Sequence, residues 1–302
     1  MILIYTAIIS FLFVWGFIKL AEEFAWGKPI RQAGPKSHMT KEGTPTMGGI
    51  AFLAATALGV IILGNRSSND FAILALTLAA ASVGFYDDVL SIQKKNRIAK
   101  GEDASTGLLA RYRLLGQGMF AFIFAIFAAN NGHSMFANYY LDIIGFSFVI
   151  MAMINALNFT DGLDGLSSGV SIIILFFFIP STIAKALIGA LFGFIWFNTK
   201  PAKVFMGGVG SEALGAAIAA IAILSDKVWY LPFIAIIPLF EMLSVIIQVV
   251  YFKATHGKRI FKMAPIHHHF ELSGWQESKI VFRFMIVSAM AVLLATVFIG
   301  KL

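Results

Sequence analysis

Long apolar runs separated by short polar segments dominate the chain. A helix needs about 20 apolar residues to cross the hydrocarbon core of a bilayer. The pattern predicts ten membrane helices, at roughly 1–20, 46–64, 70–86, 113–130, 141–158, 169–184, 186–198, 204–224, 229–251 and 280–300. The two runs on either side of Pro180 would also fit one interrupted helix.

Composition supports a membrane protein. Of the 302 residues, 59% are hydrophobic and 13% are charged, whereas a soluble domain is nearer one half and one quarter. We therefore expect an all-α, polytopic protein with one transmembrane domain over residues 1–302. The absence of cysteine excludes disulfide and thiolate chemistry. The net charge of +7 lies in loops between the spans, so it does not indicate nucleic-acid binding.

Lysine and arginine predict the orientation. With ten spans, the connections form two alternating sets, and one set holds most of the basic residues. The other set holds only Arg66, Lys185, Lys227 and Lys301. Because cytoplasmic loops are enriched in basic residues, we expect both termini in the periplasm. Every unusual polar motif then falls in five cytoplasmic loops, which predicts one active site on that face.

An acidic pair, Asp87-Asp88, ends the third apolar run and precedes a basic stretch. A carboxylate at the edge of hydrocarbon is costly unless a cation or water satisfies it. The pair fits hydrated carboxylates at a helix end, or a metal or phosphate-chemistry site at the membrane surface.

Glycine and small polar residues mark three further loops. Asn158, Asp161 and Asp164 are spaced three apart, which places them on one side of a turn. Residues 206–211 carry three glycines, which suit either close backbone approach to a ligand or close helix packing. In the first loop, residues 34–49, the glycine pair before a helix could present N–H groups to phosphate, or could simply start the helix.

Three consecutive histidines, 267–269, form the fifth motif. They cannot all point one way on a helix or strand, so a three-histidine zinc site is not expected. Phosphate contact or proton transfer is a better interpretation. Together the five loops suggest Mg²⁺-assisted chemistry on a phosphate.

The motifs resemble those of a known family. They read Gly-Pro-Lys-Ser-His…Gly-Thr-Pro-Thr-Met-Gly-Gly, Gly-Phe-Tyr-Asp-Asp, Asn-Phe-Thr-Asp-Gly-Leu-Asp-Gly-Leu and Ala-Pro-Ile-His-His-His-Phe-Glu, in order along the chain. This set is similar to the phospho-N-acetylmuramoyl-pentapeptide transferase (MraY) family, within the superfamily that moves sugar 1-phosphates from UDP-sugars to polyprenyl phosphates.

The resemblance implies a Mg²⁺-dependent homodimer of the bacterial inner membrane. It would join UDP-N-acetylmuramoyl-pentapeptide to undecaprenyl phosphate, which makes lipid I and UMP for peptidoglycan synthesis. By motif, the catalytic residues would be Asp87, Asp88 and His268, with both aspartates as metal ligands. One aspartate would act as base or positioner, or as nucleophile in a two-step course. The substrate-binding residues would be Lys41, Arg113, Asn158, Asp161, Gly162, Asp164, Asn198, Phe205, Gln248, His267 and His269.

One position departs from the family. The family reads Met-Gly-Asp-x-Gly-Ser where this chain reads Met-Gly-Gly208-Val-Gly-Ser, so the family's main magnesium ligand is missing. Glu212, one helical turn further on, is displaced by about 6 Å and is a poor substitute. The missing ligand suggests either an impaired enzyme or an inactive binding protein on the same scaffold. A related UDP-N-acetylhexosamine transferase is a separate alternative, against which the three histidines argue.

Overall fold

The computed structural model describes residues 1–24, 26–27, 41, 43–99 and 107–299. The 34–38 part of the first motif and the loop at 100–106 lie outside these residues. Within them the protein is all-helical, as predicted. The helices are α1 (Ile2–Glu23), α2 (Gly49–Leu63), α3 (Ser68–Ala99), α4 (Gly107–Asn130), α5 (Tyr139–Thr160), α6 (Leu166–Phe176), α7 (Thr182–Asn198), α8 (Gly207–Leu224), α9 (Leu231–Ile234), α10 (Ile236–Ala254), α11 (Ile266–Glu271) and α12 (Glu277–Ile299).

Seven of the described helices are long and apolar enough to cross a membrane. Three shorter apolar helices, α2, α6 and α7, occupy the remaining predicted runs. Each of the ten predicted runs therefore contains helix, while the count of ten crossings and the orientation of the termini stay predictions.

The two runs around Pro180 form a helical hairpin rather than one interrupted helix. The Ser168 hydroxyl near the start of α6 donates to Asn198 Oδ1 at the end of α7, over 2.7 Å. The backbone N–H of Gly165 reaches the same oxygen at 3.2 Å. The hairpin brings the Asp161–Gly165 turn beside the α7–α8 loop.

Helix α3 extends well beyond the predicted span, to Ala99. The expectation that Asp87-Asp88 stands at a helix end is therefore wrong. Residues 89–99 contain no glycine or proline, and such residues do not stop a helix. The acidic pair projects from the interior of a continuous helix.

Helix α8 lies at the centre of the bundle, and 89% of it is buried. It packs most extensively against α3 and α5. Glycines permit this approach: a Cβ at Gly84 of α3 would overlap the backbone of Gly208, and one at Gly215 would overlap the α5 backbone at Met153 and Ile154. Small residues are common at helix contacts in membrane bundles, and here they allow α3 to pack closely against the start of α8.

A buried polar chain crosses α4, α5 and α8. Asn155 Nδ2 donates to Gln117 Oε1 over 3.0 Å, and Gln117 Nε2 donates to Glu212 Oε2 over 2.9 Å. Glu212 is fully buried. These side chains satisfy one another where apolar surroundings offer no water.

The run predicted at 229–251 is broken. A 3-10 turn at Val228–Tyr230 and the four-residue α9 precede α10, with the break at Ala235. Pro238 lacks the N–H that would donate to Ile234, so a helix through this point loses a bond. Beyond α10 the chain folds back along it and leads into α11.

Candidate active site

Asp88 is fixed between α3 and the start of α8. Its Oδ2 accepts the backbone N–H of Val209 at 3.1 Å, and the residue is 7% exposed. Gly207 has φ +76°, and a Cβ there would lie 2.6 Å from the same oxygen. Only glycine fits this backbone and this contact, so the glycine motif places Asp88 with little freedom.

Asp87 is the more open member of the pair. Its side chain is 30% exposed, and its Oδ2 lies 3.3 Å from Nη1 of Arg113 on α4. Both line a cavity of about 260 Å³ between α3 and α4. Other polar residues of this lining are Ser82, Tyr86 and Tyr112. The structure thus brings Asp87, Asp88 and Arg113 together at one end of the central helix.

Position 208 faces the acidic pair. A Cβ there would lie 3.5 Å from Asp88 Oδ1 and 3.2 Å from the Gly84 carbonyl. Within the described part of the chain, no three acidic or histidine side chains are grouped so that they could hold a metal ion. Glu212 does not complete such a group, because one of its oxygens accepts from Gln117 and the other lies 3.8 Å from Arg113 Nε.

A second charged cluster forms around Lys41. Lys41 Nζ lies 2.7 Å from Asp164 Oδ1 and 2.6 Å from Glu277 Oε1. Lys200 Nζ lies 2.8 Å from the other oxygen of Glu277. The lysine is therefore placed beside the Asp161–Gly165 turn rather than beside Asp87.

The electrostatics of Lys41 follow from these contacts. Burial lowers the pKa of its ammonium group, but the hydrogen bonds and charges of Asp164 and Glu277 outweigh this effect. The pKa is raised above the ordinary value of 10.5. Lys41 is a permanent cation at physiological pH.

The turn that carries Asn158, Asp161 and Asp164 is the part that the motif resemblance assigns to the donor nucleotide, and we call it the nucleotide loop. It lies beside the start of α8, which also holds Asp88. Asn158 Nδ2 lies 3.3 Å from the hydroxyl of Ser211, two residues after Val209. Asp161 caps α5, where its N–H donates to Leu157. Asn198 is used internally: its Oδ1 accepts from Gly165 and Ser168, and its Nδ2 donates to the Val204 carbonyl. Asn198 thus holds the turn in place.

The first-loop glycines do not present free N–H groups. Gly48 N donates to the Phe205 carbonyl and Gly49 N to the Met206 carbonyl, both at 2.9 Å. The phosphate cradle considered for this loop is therefore wrong, and the pair instead fastens α2 to the segment before α8. Phe205 donates its own N–H to Pro45 at 2.8 Å, and its half-buried ring is held at the site.

The three histidines on α11 take different partners, as their spacing predicted. His267 Nδ1 lies 2.9 Å from Glu241 Oε2. His268 Nδ1 lies 2.7 Å from Glu271 Oε2. His269 Nδ1 accepts the N–H of Lys262 at 3.1 Å.

His267 also contacts the nucleotide loop. A Cβ on Gly162 would overlap its imidazole, whose buried Nε2 has no hydrogen-bond partner among the described residues. Gln248, in contrast, is bonded to the chain after α10: its Oε1 accepts from Ile260 and Phe261, and its Nε2 donates to the Phe261 carbonyl.

Sequence reasoning missed two residues of this region as partners. Glu277 anchors Lys41, and Glu241 anchors His267. Glu277 begins an apolar run, where an acid is indistinguishable from a hydrated helix end. Glu241 stands out as an acid within an apolar run, and only the return of the chain after α10 reveals its partner.

Comparison with known proteins gives two family matches. The model of glycosyl transferase family 4 matches residues 70–226. The phospho-N-acetylmuramoyl-pentapeptide-transferase signature 1 matches residues 41–53, which include Lys41 and the glycine pair. The two matches cover the acidic pair, the nucleotide loop and the start of α8.

Relatives cover nearly the whole chain. A phospho-N-acetylmuramoyl-pentapeptide-transferase of Deinococcus radiodurans is 41% identical over 305 residues, 96% of each chain. One from a Thermoanaerobacter species is 41% identical over 300 residues, 92% of each chain. One from Clostridioides difficile is 40% identical over 318 residues, with 95% of this chain and 94% of the relative covered.

Proposed function

Because the chain belongs to the phospho-N-acetylmuramoyl-pentapeptide transferase family, we propose that it makes lipid I from UDP-N-acetylmuramoyl-pentapeptide and undecaprenyl phosphate. The observation that carries the proposal is the placement of Asp87 and Asp88. Asp88 is locked onto the start of α8, and Asp87 opens into a cavity with Arg113. The signature match at residues 41–53 favours the muramoyl donor over a UDP-N-acetylhexosamine.

The reaction exchanges one phosphoanhydride bond for another. An oxygen of undecaprenyl phosphate forms a bond to the phosphorus that carries the sugar. The bond from that phosphorus to the UMP oxygen breaks, and UMP leaves. Such a transfer depends mainly on positioning and on compensation of phosphate charge.

The two aspartates have unequal access to substrate. Asp87, with its 30% exposed side chain, can reach a lipid phosphate and accept its proton or orient it. Arg113 keeps this carboxylate in place and supplies a cation for the phosphate. Asp88 accepts the Val209 N–H, which fixes the position of the acidic pair against α8. On the donor side, Asp161, Gly162 and Phe205 line the nucleotide, and His267 and His268 stand beside the diphosphate.

We also propose that the enzyme uses Mg²⁺. The donor set fits this ion, because Mg²⁺ in phosphate chemistry takes one or two carboxylates and completes its shell with water and substrate oxygens. Asp88 and Asp87 would hold it. When bound, the ion neutralises diphosphate charge. Gly208 supplies no side-chain oxygen, so this chain would hold the ion with one carboxylate fewer than the family pattern.

That missing carboxylate favours a second candidate, a protein that binds both substrates on the same scaffold without turning them over. Lipid I formation by the purified full chain in detergent with Mg²⁺, compared with Gly208→Asp, separates the two. We expect lipid I with the muramoyl donor and no lipid-linked sugar diphosphate with UDP-N-acetylglucosamine. Failure of both variants to make lipid I while both remain folded and bind UMP would favour the binding protein.

The remaining parts of the proposal concern location and assembly. We propose an inner-membrane homodimer with both termini periplasmic and the site cytoplasmic. The charge pattern supports this orientation. Cysteine accessibility in a chain that has none of its own, tested at introduced loop positions, checks the orientation, and native mass spectrometry checks the dimer.

A further inference from the structure

Glu277 lies at the start of α12, outside every motif that the sequence singled out. Its side chain is 2% exposed, and three groups from three different segments converge on it. Lys41 Nζ and the backbone N–H of Asp164 approach Oε1 at 2.6 and 2.8 Å. Lys200 Nζ approaches Oε2 at 2.8 Å.

These contacts fix both the side chain and the backbone of Asp164 in the nucleotide loop. Asp164 receives Lys41 on Oδ1 and the N–H of Ala202 on Oδ2, at 2.7 and 3.2 Å, while its own N–H is bound to Glu277. The carboxylate of Asp164 is thus oriented from both sides. Removal of Glu277 would leave the buried N–H of Asp164 without its acceptor and the largely buried Lys41 ammonium with one partner fewer, which is costly.

We infer that Glu277 is a positioning residue for the donor nucleotide, acting through Lys41 and Asp164. This inference rests on the proposed function, since it assumes that the Asp161–Gly165 turn receives the UDP portion. The two acids and two lysines of the cluster balance in charge. Glu277 therefore contributes an orientation of Lys41 and Asp164 rather than a net potential at the site.

The experiment measures UMP binding to the full chain in detergent by titration calorimetry. Glu277→Gln keeps the shape of the side chain but removes its charge and one acceptor oxygen. We expect UMP affinity to fall about 10- to 100-fold, the range typical when the group that orients a binding residue is lost. Glu277→Asp, which keeps the charge, should recover part of the loss.

Coupling distinguishes positioning from general stability. In a Lys41→Met background, Glu277→Gln should cost much less UMP affinity than it does alone, because Glu277 acts through Lys41. Asp142→Asn is the matched control: Asp142 is another buried acid, with three local hydrogen bonds at the opposite end of α5. We expect it to lower thermal stability and to leave UMP affinity unchanged.

Three results would overturn the inference. They are unchanged UMP affinity in Glu277→Gln, additive losses in the double variant, or an equal loss in Asp142→Asn. Each of these leaves the proposed function standing. Absence of UMP binding by the unaltered chain would instead overturn the proposed function and this inference together.

Discussion

Gly208 faces Asp88 across the contact between α8 and α3, and a Cβ at position 208 would lie 3.5 Å from Asp88 Oδ1. The neighbouring Gly84 carbonyl, at 3.2 Å, needs to shift by only a few tenths of an ångström. A carboxylate introduced at position 208 would therefore stand beside the acidic pair. The missing side chain of the family motif has a definite place in this fold.

Gly208→Asp should increase lipid I formation by about a thousandfold, because a charged ligand aimed at the reacting phosphate is worth several kcal/mol. The variant should also reach its full activity at a lower Mg²⁺ concentration than the unaltered chain does. Lipid I formation across a Mg²⁺ series measures both effects. Gly208→Asn is the matched control, and equal gains in the two variants would show that the charge is irrelevant.

Asp87→Asn should reduce lipid I formation by about 10²- to 10⁴-fold, the range for loss of a group that handles a proton. Asp70→Asn is the control on the same helix, about 26 Å away. Asp70 is buried and lies outside the site, so a loss of activity that it shares would point to misfolding of α3. Radiolabelled lipid I formation and the melting temperature separate activity from stability.

Gly162→Ala should destabilise the protein by about 1–3 kcal/mol, because the added methyl overlaps the His267 ring. Lipid I formation should fall with it, since the nucleotide loop must move. Gly118→Ala provides the comparison: its Cβ would meet Met151 at an ordinary 3.6 Å. Melting temperatures in detergent measure the difference, and equal effects of the two substitutions would contradict the contact.

Glu212→Ala should cost about 1–3 kcal/mol, because Gln117 Nε2 loses its buried acceptor. Glu212→Gln retains an acceptor oxygen and should cost less. Neither substitution should alter the Mg²⁺ dependence of lipid I formation, since one Glu212 oxygen accepts from Gln117 and the other faces Arg113. A shift in that dependence would show that Glu212 does act as the missing ligand.

The raised pKa of Lys41 predicts that its contribution to stability changes with pH only in the alkaline range. Its folded pKa is above the unfolded value of 10.5, so its contribution is full below 10.5 and is lost as the pH rises through the folded pKa. The melting-temperature difference between the unaltered chain and Lys41→Met should be constant between about pH 7 and pH 9. It should shrink only at higher pH, and a difference that already shrinks below pH 9 would contradict the raised pKa.

The helical framework followed from hydrophobic run length, because every backbone group in lipid must be satisfied within its own helix. Helix ends were less predictable. Lysine and asparagine after Asp88 resemble a loop in composition, yet they continue α3 to Ala99. The break at Ala235 has a signal in Pro238, but a proline can also stay inside a kinked membrane helix, so the sequence did not decide between the two.

Candidate residues were predictable where their chemistry was unusual for a membrane edge, as for Asp87, Asp88 and Asp161. Their partners were not, since pairs such as Lys41 and Glu277 are joined only by the fold. The role of each glycine could not be read from the sequence, for a physical reason. The same absence of a Cβ serves ligand approach and helix packing, and at Gly48 and Gly84 the structure uses it for packing.

The buried amides of α4 and α5 also bear on how the protein is assembled during synthesis. Both helices leave the ribosome before α8 does, and Asn155 can already donate to Gln117. This pairing lowers the cost of burying both amides in lipid, and it leaves Gln117 Nε2 pointing at the space that α8 will fill. Glu212 then arrives as the matching acceptor. In the folded protein the network therefore sets the rotation and depth of α8 against α4 and α5.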